Sequence, residues 1–72
     1  MVDWRSIVGD NVRRARHEAN LTQEQLAFES QIDLTYLGGI ERGKRNPSIE
    51  VLARIAASLG TEPANLLQQG CD

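Results

Sequence analysis

Apolar residues return along this chain at intervals of three and four, the spacing that lines one face of a helix, and punctuating residues cut it into five helical segments. Trp4, Val8, Val12, Ala15 and Ala19 share the face of a first helix running from about Asp3 to Ala19. Gly9 inside it costs about 1 kcal/mol relative to alanine, and close packing against another helix is a reason to keep it there. Asn20, which tolerates the left-handed conformation, is a suitable stop. The second helix begins at Thr22 and ends near Ser30: Thr22 and Gln25 form a capping box, and Leu21 and Leu26 a hydrophobic staple across it. The third follows the N-cap Asp33 and ends at Arg42, with Gly43 as the left-handed residue. Leu37 and Ile40 point inward, with Ile32 packed beside them. About three residues separate the second and third helices, and so short a turn makes them cross steeply, as in a helix-turn-helix.

The fourth helix lies between Pro47-Ser48 and Gly60, with Leu52, Ile55, Ala56 and Leu59 on its apolar face. A short fifth opens at Thr61-Glu62-Pro63 and carries Leu66 and Leu67. Gln68 to Asp72 are expected to fray.

Length and composition limit what such helices can do. The 72 residues make one domain, with a core over about residues 4–68, near the lower size at which a single hydrophobic core suffices. His17 and Cys71 are single, so no internal disulfide or metal cluster staples the chain, and efficient helix packing with a partner subunit is expected instead. The lone Cys71 fits a reducing cytosol, the alternative being an intermolecular disulfide or a redox switch. The first residues lack the basic and apolar stretches of a signal peptide, and no apolar run is long enough to span a membrane. A cytoplasmic protein without membrane partners is therefore expected.

Catalysis finds no support. Glycine-rich phosphate loops, paired cysteines and histidine clusters are missing, and His17 is expected as an exposed helix histidine. No cofactor, metal or small-molecule ligand is expected. The net charge of −2 also argues against a purely electrostatic nucleic-acid binder. Its distribution is more informative: Arg42, Lys44 and Arg45 fall within four residues, so contact with DNA would be local.

Those cations follow the third helix, whose outward face is expected to hold Leu34, Thr35, Gly38 and Gly39, with Tyr36 at its flank. The glycine pair costs roughly 2 kcal/mol of helix propensity. A strip without side chains would allow another surface to come close, such as a DNA backbone or groove edge. Leu34 and the Thr35 methyl suit thymine methyls, and the Thr35 hydroxyl a base or phosphate. Taken alone, the helix is equally compatible with a poorly optimised surface or a protein-interaction face. The turn Arg42-Gly43-Lys44-Arg45-Asn46-Pro47 favours phosphate contact, and the free amides at the start of the second helix, beside Gln23, offer a second anion site. Two phosphate points would then flank one reading helix. Glu41, an acid in this setting, needs a partner, and Arg16 at the end of the first helix is the candidate.

The stretches Leu21-Thr22-Gln23-Glu24-Gln25-Leu26-Ala27 and Ile40-Glu41-Arg42-Gly43-Lys44-Arg45-Asn46-Pro47-Ser48 resemble the phage repressor and Cro type of helix-turn-helix domain. The resemblance spans roughly Val8 to Leu67. It implies an all-α, compact five-helix fold, a phosphate contact at Gln23, a structural Arg16–Glu41 bridge and homodimers on two-fold symmetric operators. Phe28, with Thr35-Tyr36-Leu37-Gly38-Gly39-Ile40-Glu41-Arg42-Gly43, is further similar to the controller proteins of restriction–modification systems. That likeness implies that Thr35 and Arg45 face bases and Tyr36 the backbone. Leu34 stands where controllers often carry arginine and Gly38 where serine is common, so few hydrogen bonds to bases and more reliance on DNA shape are expected.

The expected function is sequence-specific binding of double-stranded DNA by a transcriptional regulator that dimerises through apolar residues of the fourth and fifth helices, including Leu67. The rival is a protein-interaction module, antitoxin-like or anti-regulator, that keeps the fold without reading DNA.

Overall fold

The computed structural model describes residues 2–69, so Cys71 and the expectations attached to it lie outside the described residues. Four α-helices form: α1 (Trp4–Glu18), α2 (Gln23–Ser30), α3 (Leu34–Glu41) and α4 (Ile49–Leu59). The expected fifth helix is a 3-10 helix, Pro63–Leu67, rather than an α-helix. Proline opens it and no side chain caps it. Five residues are too few for a stable α-helical turn sequence, so the tighter i to i+3 pattern takes over. No strand forms among the described residues.

Local chemistry sets each boundary. Asp3, Thr22, Asp33 and Ser48 are the four N-caps, each accepting a backbone amide of its own first turn. At α2 the capping box closes both ways. The Gln25 amide donates to Thr22 Oγ1 at 3.0 Å, and the Thr22 amide to Gln25 Oε1 at 2.8 Å. Every α-helix then ends on a left-handed residue, namely Asn20, Gln31, Gly43 and Gly60, with φ between 59° and 74°. Each ending carries the paired backbone bonds of a Schellman turn. After α3, for example, the Lys44 amide donates to the Gly39 carbonyl at 2.8 Å and the Gly43 amide to that of Ile40 at 3.0 Å. Gln31 was the one stop that residue type did not announce.

One core joins the elements: Val8 and Val12 from α1, Leu26 and Ala27 from α2, Leu37 and Ile40 from α3, Leu52, Ile55 and Ala56 from α4, and Leu66 from the 3-10 helix. Leu21, Ile32 and Leu59 pack at its margin. The α1 stripe is shorter than its spacing suggests, because Trp4 and Ala19 at its two ends are exposed. Asn11 ties the chain's end to α1, its Nδ2 donating to the carbonyls of Leu66 and Gln68 at 2.8 Å each. Gln68 is thus held, contrary to the expected fraying from that residue on. Ser30 and Ser58 join α2 to α4 through their hydroxyls at 3.1 Å.

At Gly9 the backbones of α1 and α3 approach closely. A Cβ at this position would land on the Ile40 carbonyl oxygen and stand 2.8 Å from that of Glu41. The glycine expected to serve close helix packing therefore does so against backbone, which cannot move aside.

Candidate nucleic-acid interface

The first contact that organises this region is buried. Arg16 (8% exposed) reaches from α1 to Glu41 (4% exposed) at the end of α3. Its Nε donates to Glu41 Oε2 at 2.7 Å and its Nη2 to Oε1 at 3.0 Å, a fork on one carboxylate. Arg16 Nη1 also donates to the Leu21 carbonyl at 3.0 Å, just before α2. Gln23 completes the group, its Nε2 donating to Glu41 Oε1 at 3.0 Å. Glu41 is thereby neutralised and turned inward, which removes the acid that would repel a polyanion at this surface. His17 is exposed, as expected, with Nε2 lying 3.3 Å from Arg16 Nη2.

Gln23 holds an intermediate position. Its amide nitrogen is engaged inside, while Oε1 faces Gly38 on α3, 3.9 Å from where a Cβ would stand. Arg42 Nη1 lies 3.2 Å from the same point. Gln23, Gly38 and Arg42 therefore converge. The backbone amides of Gln23 and Glu24, the first two of α2, find no partner among the described residues and leave the positive end of that helix open.

A second convergence lies beside it. Arg45 places its guanidinium carbon 5.8 Å from the centroid of the Tyr36 ring, and its stem crosses Gly39. Both glycines are buried, which corrects the expectation of an open, side-chain-free strip on the outward face. Arg42 and Gln23 cover Gly38 and Arg45 covers Gly39, because each missing Cβ leaves room that a long side chain fills. What remains outward on α3 is Thr35, Leu34 (41% exposed) and the half-buried Tyr36.

Lys44 is exposed in the same turn. Asn46 departs from the group: it lies with Val2, Asp3, Trp4 and Arg5 around a hollow at the start of α1. No carboxylate pairs with Arg42, Lys44 or Arg45 among the described residues. These cations thus keep the capacity to take anionic partners from outside.

Sequence reasoning missed the support beneath the turn. Gly43 rests on α1, where a Cβ would stand 3.0 Å from Ser6 Oγ and 3.3 Å from Ser6 Cα. Ser6 is itself fixed by Asp3, donating from Oγ to Oδ2 at 2.9 Å and from the amide to Oδ1 at 3.4 Å. These bonds hold the Asp3 carboxyl below the usual aspartate range, the Ser6 side chain contributing most. No spacing rule connects Ser6 with a glycine far along the chain. Arg5, which joins Asn46 around the hollow, likewise gave no signal.

Comparison with known proteins places the chain in a family. The helix-turn-helix family model matches residues 12–66. The chain is 42% identical over 64 residues to the control protein C.BamHI of Bacillus amyloliquefaciens, covering 88% of this chain and 79% of that one. It is 41% identical over 70 residues to the control protein C.SmaI of Serratia marcescens, covering 96% and 83%. The crystal structure of the restriction–modification controller protein C.AhdI from Aeromonas hydrophila matches with a TM-score of 0.84 at 40% identity, over 86% of this chain and 94% of that one.

Proposed function

We propose, from the premise that this chain belongs to the helix-turn-helix family, that it is a transcriptional regulator of the controller type, reading a two-fold symmetric operator as a homodimer. Residues 1–72 act as one DNA-binding unit in the cytoplasm, where the DNA is. The convergence of Gln23, Arg42 and Arg45 on α3, with no carboxylate among the described residues taking the two arginines, carries this reading.

In it, α3 enters the major groove with Leu34 and Thr35 toward base edges, and α2 crosses the backbone. The open amides of α2 and the side-chain nitrogen of Gln23 define how that helix meets a phosphate. The amides can donate, and so can Gln23, whose side-chain nitrogen uses one of its two hydrogens on Glu41 Oε1 and keeps the second. Arg42 and Lys44 neutralise phosphates after the helix, and Arg45 and Tyr36 stand between backbone and bases. Asn46 contacts the backbone further out, from its place in the turn beside the start of α1.

Dimerisation rests on a different surface. Ile49 is 83% exposed and Leu67 42%, and both border an apolar groove with Trp4, Pro47 and Leu52. A monomer has little reason to hold an isoleucine so open, and a two-fold partner would bury it. The relatives named above are regulators rather than enzymes, and the protein acts through its own concentration without a small-molecule effector.

Selection of bound sequences from a random duplex pool tests both claims. A two-fold symmetric motif is the expected outcome, with affinity falling log-linearly as salt rises. Failure to bind any duplex at low salt would instead support a protein-interaction module that retains this fold.

A further inference from the structure

We propose that Gly39 is a positioning residue that seats Arg45 on the reading helix, and that the seated guanidinium supplies base specificity beyond that of Leu34 and Thr35. The inference rests on the DNA-reading function proposed above. A Cβ on Gly39 would stand 2.6 Å from Arg45 Cγ, 3.6 Å from its Cβ and 3.7 Å from its Cδ. The whole stem of Arg45 thus lies in the space where a side chain at 39 would be. Its root is fixed as well, because the Gly39 carbonyl accepts the amides of Lys44 at 2.8 Å and of Arg45 at 3.3 Å. The far end reaches Tyr36, 5.8 Å from guanidinium carbon to ring centroid. Tyr36 and Gly39 are three apart and so share one helical face, one above the other.

Arg45 therefore runs back along α3 toward its N-terminus, from a turn that follows the helix to the level of its first turn, where Thr35 stands. Glycine is the poorest helix former after proline, so its place inside α3 calls for a reason, and the seat provides one. The same geometry makes the arginine useful. A free arginine must surrender many rotamers on binding, whereas a stem in a slot with its guanidinium over an aromatic ring has already surrendered them. Leu34 offers no hydrogen bond and Gly38 no side chain, so a pre-positioned fork from the turn is the strongest donor available to a base edge on this face. Gly38 works in the same sense more weakly, because only the mobile tip of Arg42, Nη1 at 3.2 Å, approaches it.

A double-mutant cycle tests the seat: wild type, Gly39→Ala, Arg45→Ala and the double variant, each titrated against the selected operator and a scrambled duplex. Gly39→Ala is expected to weaken operator binding about tenfold while leaving the scrambled duplex within about twofold, the size of one lost base contact. In the Arg45→Ala background, Gly39→Ala should change operator affinity by less than about twofold. Independent, multiplying losses would overturn the proposal. Thermal melting separates this from misfolding, since an alanine that merely joins the helix does not lower the midpoint. The seat also has a readout without DNA. In the wild type the Arg45 protons at the guanidinium end should be shifted upfield by the Tyr36 ring, and Gly39→Ala should return them toward random-coil positions. Unchanged shifts would refute the seat. A wild type with shifted protons that binds no duplex would instead overturn the DNA-reading function.

Discussion

The inner and outer sides of α3 use the same two residue types under different constraints. On the inner side Gly9 admits the carbonyls of Ile40 and Glu41, and Arg16 is locked in a fork on Glu41. On the outer side Gly39 admits the stem of Arg45, whose charge has no carboxylate partner among the described residues. A glycine against backbone has a neighbour that cannot yield, and a glycine against an arginine stem has one that can. Likewise, a buried arginine with a buried partner belongs to the fold, and an exposed one without a partner remains available to a ligand. Substitutions on the inner side should therefore register as stability, and those on the outer side as affinity.

The largest effect is expected at Glu41. Replacing it by alanine leaves Arg16 buried with no counter-charge, which in comparable sites costs about 3–5 kcal/mol. That is a large part of the roughly 0.05–0.15 kcal/mol per residue that holds a small domain together. Denaturant titration of Glu41→Ala should show a collapse of the midpoint, and DNA binding should fall only as far as the folded fraction does. A variant that kept its midpoint but lost binding would break the division, because Glu41 would then act through Gln23 on the ligand.

Gly9→Ala should come next. The new Cβ gains about 1 kcal/mol of helix propensity. It also strikes the Ile40 carbonyl, and overpacking of this kind typically costs about 1–3 kcal/mol, so the net change should still be destabilising. Thermal melting decides the matter: a midpoint equal to or above the wild type would mean that α1 can slide away from α3 at no cost. Gly39→Ala, the same substitution on the outer side, is expected to leave the midpoint unharmed, so the two alanines form a direct contrast.

Much of the inner side was legible in the sequence. The caps at Thr22 and Asp33, the boundary at Pro47-Ser48 and the stops at Asn20, Gly43 and Gly60 depend on residues a few positions away. The Arg16–Glu41 bridge followed from asking where an acid near DNA could go. The outer side was harder to read. Helical spacing assigns Gly38 and Gly39 to a face but cannot say that a turn beyond the helix folds back over it. Hence two buried glycines were expected to be an open strip. The Ser6 support under Gly43 was invisible for the same reason, since it pairs residues that no local rule connects. The change from an α-helix to a 3-10 helix at Pro63–Leu67 reflects length, which apolar spacing does not weigh.

Lys44→Ala should have a smaller effect, confined to the outer side. Lys44 is exposed and unpaired among the described residues, so melting should be unchanged within about 0.5 kcal/mol. Affinity should drop by a similar factor on every sequence, and the slope of log affinity against log salt should become shallower by about one per bound site. If Lys44→Ala relaxed the sequence preference instead, a base contact would have to be assigned to it, and Arg45 would lose its place as the reader in the turn.

The smallest effect is expected at Asp3, where the two sides meet, because Asp3 holds the Ser6 on which Gly43 rests. Its carboxyl titrates below the ordinary aspartate value because Ser6 donates to it twice, first from the hydroxyl. A lowered folded-state pKa means that the unfolded chain binds the proton more readily. The contribution is therefore complete above the unfolded value, near about pH 4, and is lost as pH falls through the folded value. Asp3→Asn separates charge from cap, since asparagine caps a helix about as well as aspartate does. The stability difference between wild type and Asp3→Asn, from denaturant midpoints, should be present at neutral pH and disappear in acid. A difference independent of pH would show that the cap works here without its charge. If acid also weakened DNA binding in the wild type but not in Asp3→Asn, with both still folded, the first turn of α1 would be setting the position of the basic turn, and the division between the two sides would need a hinge at Ser6.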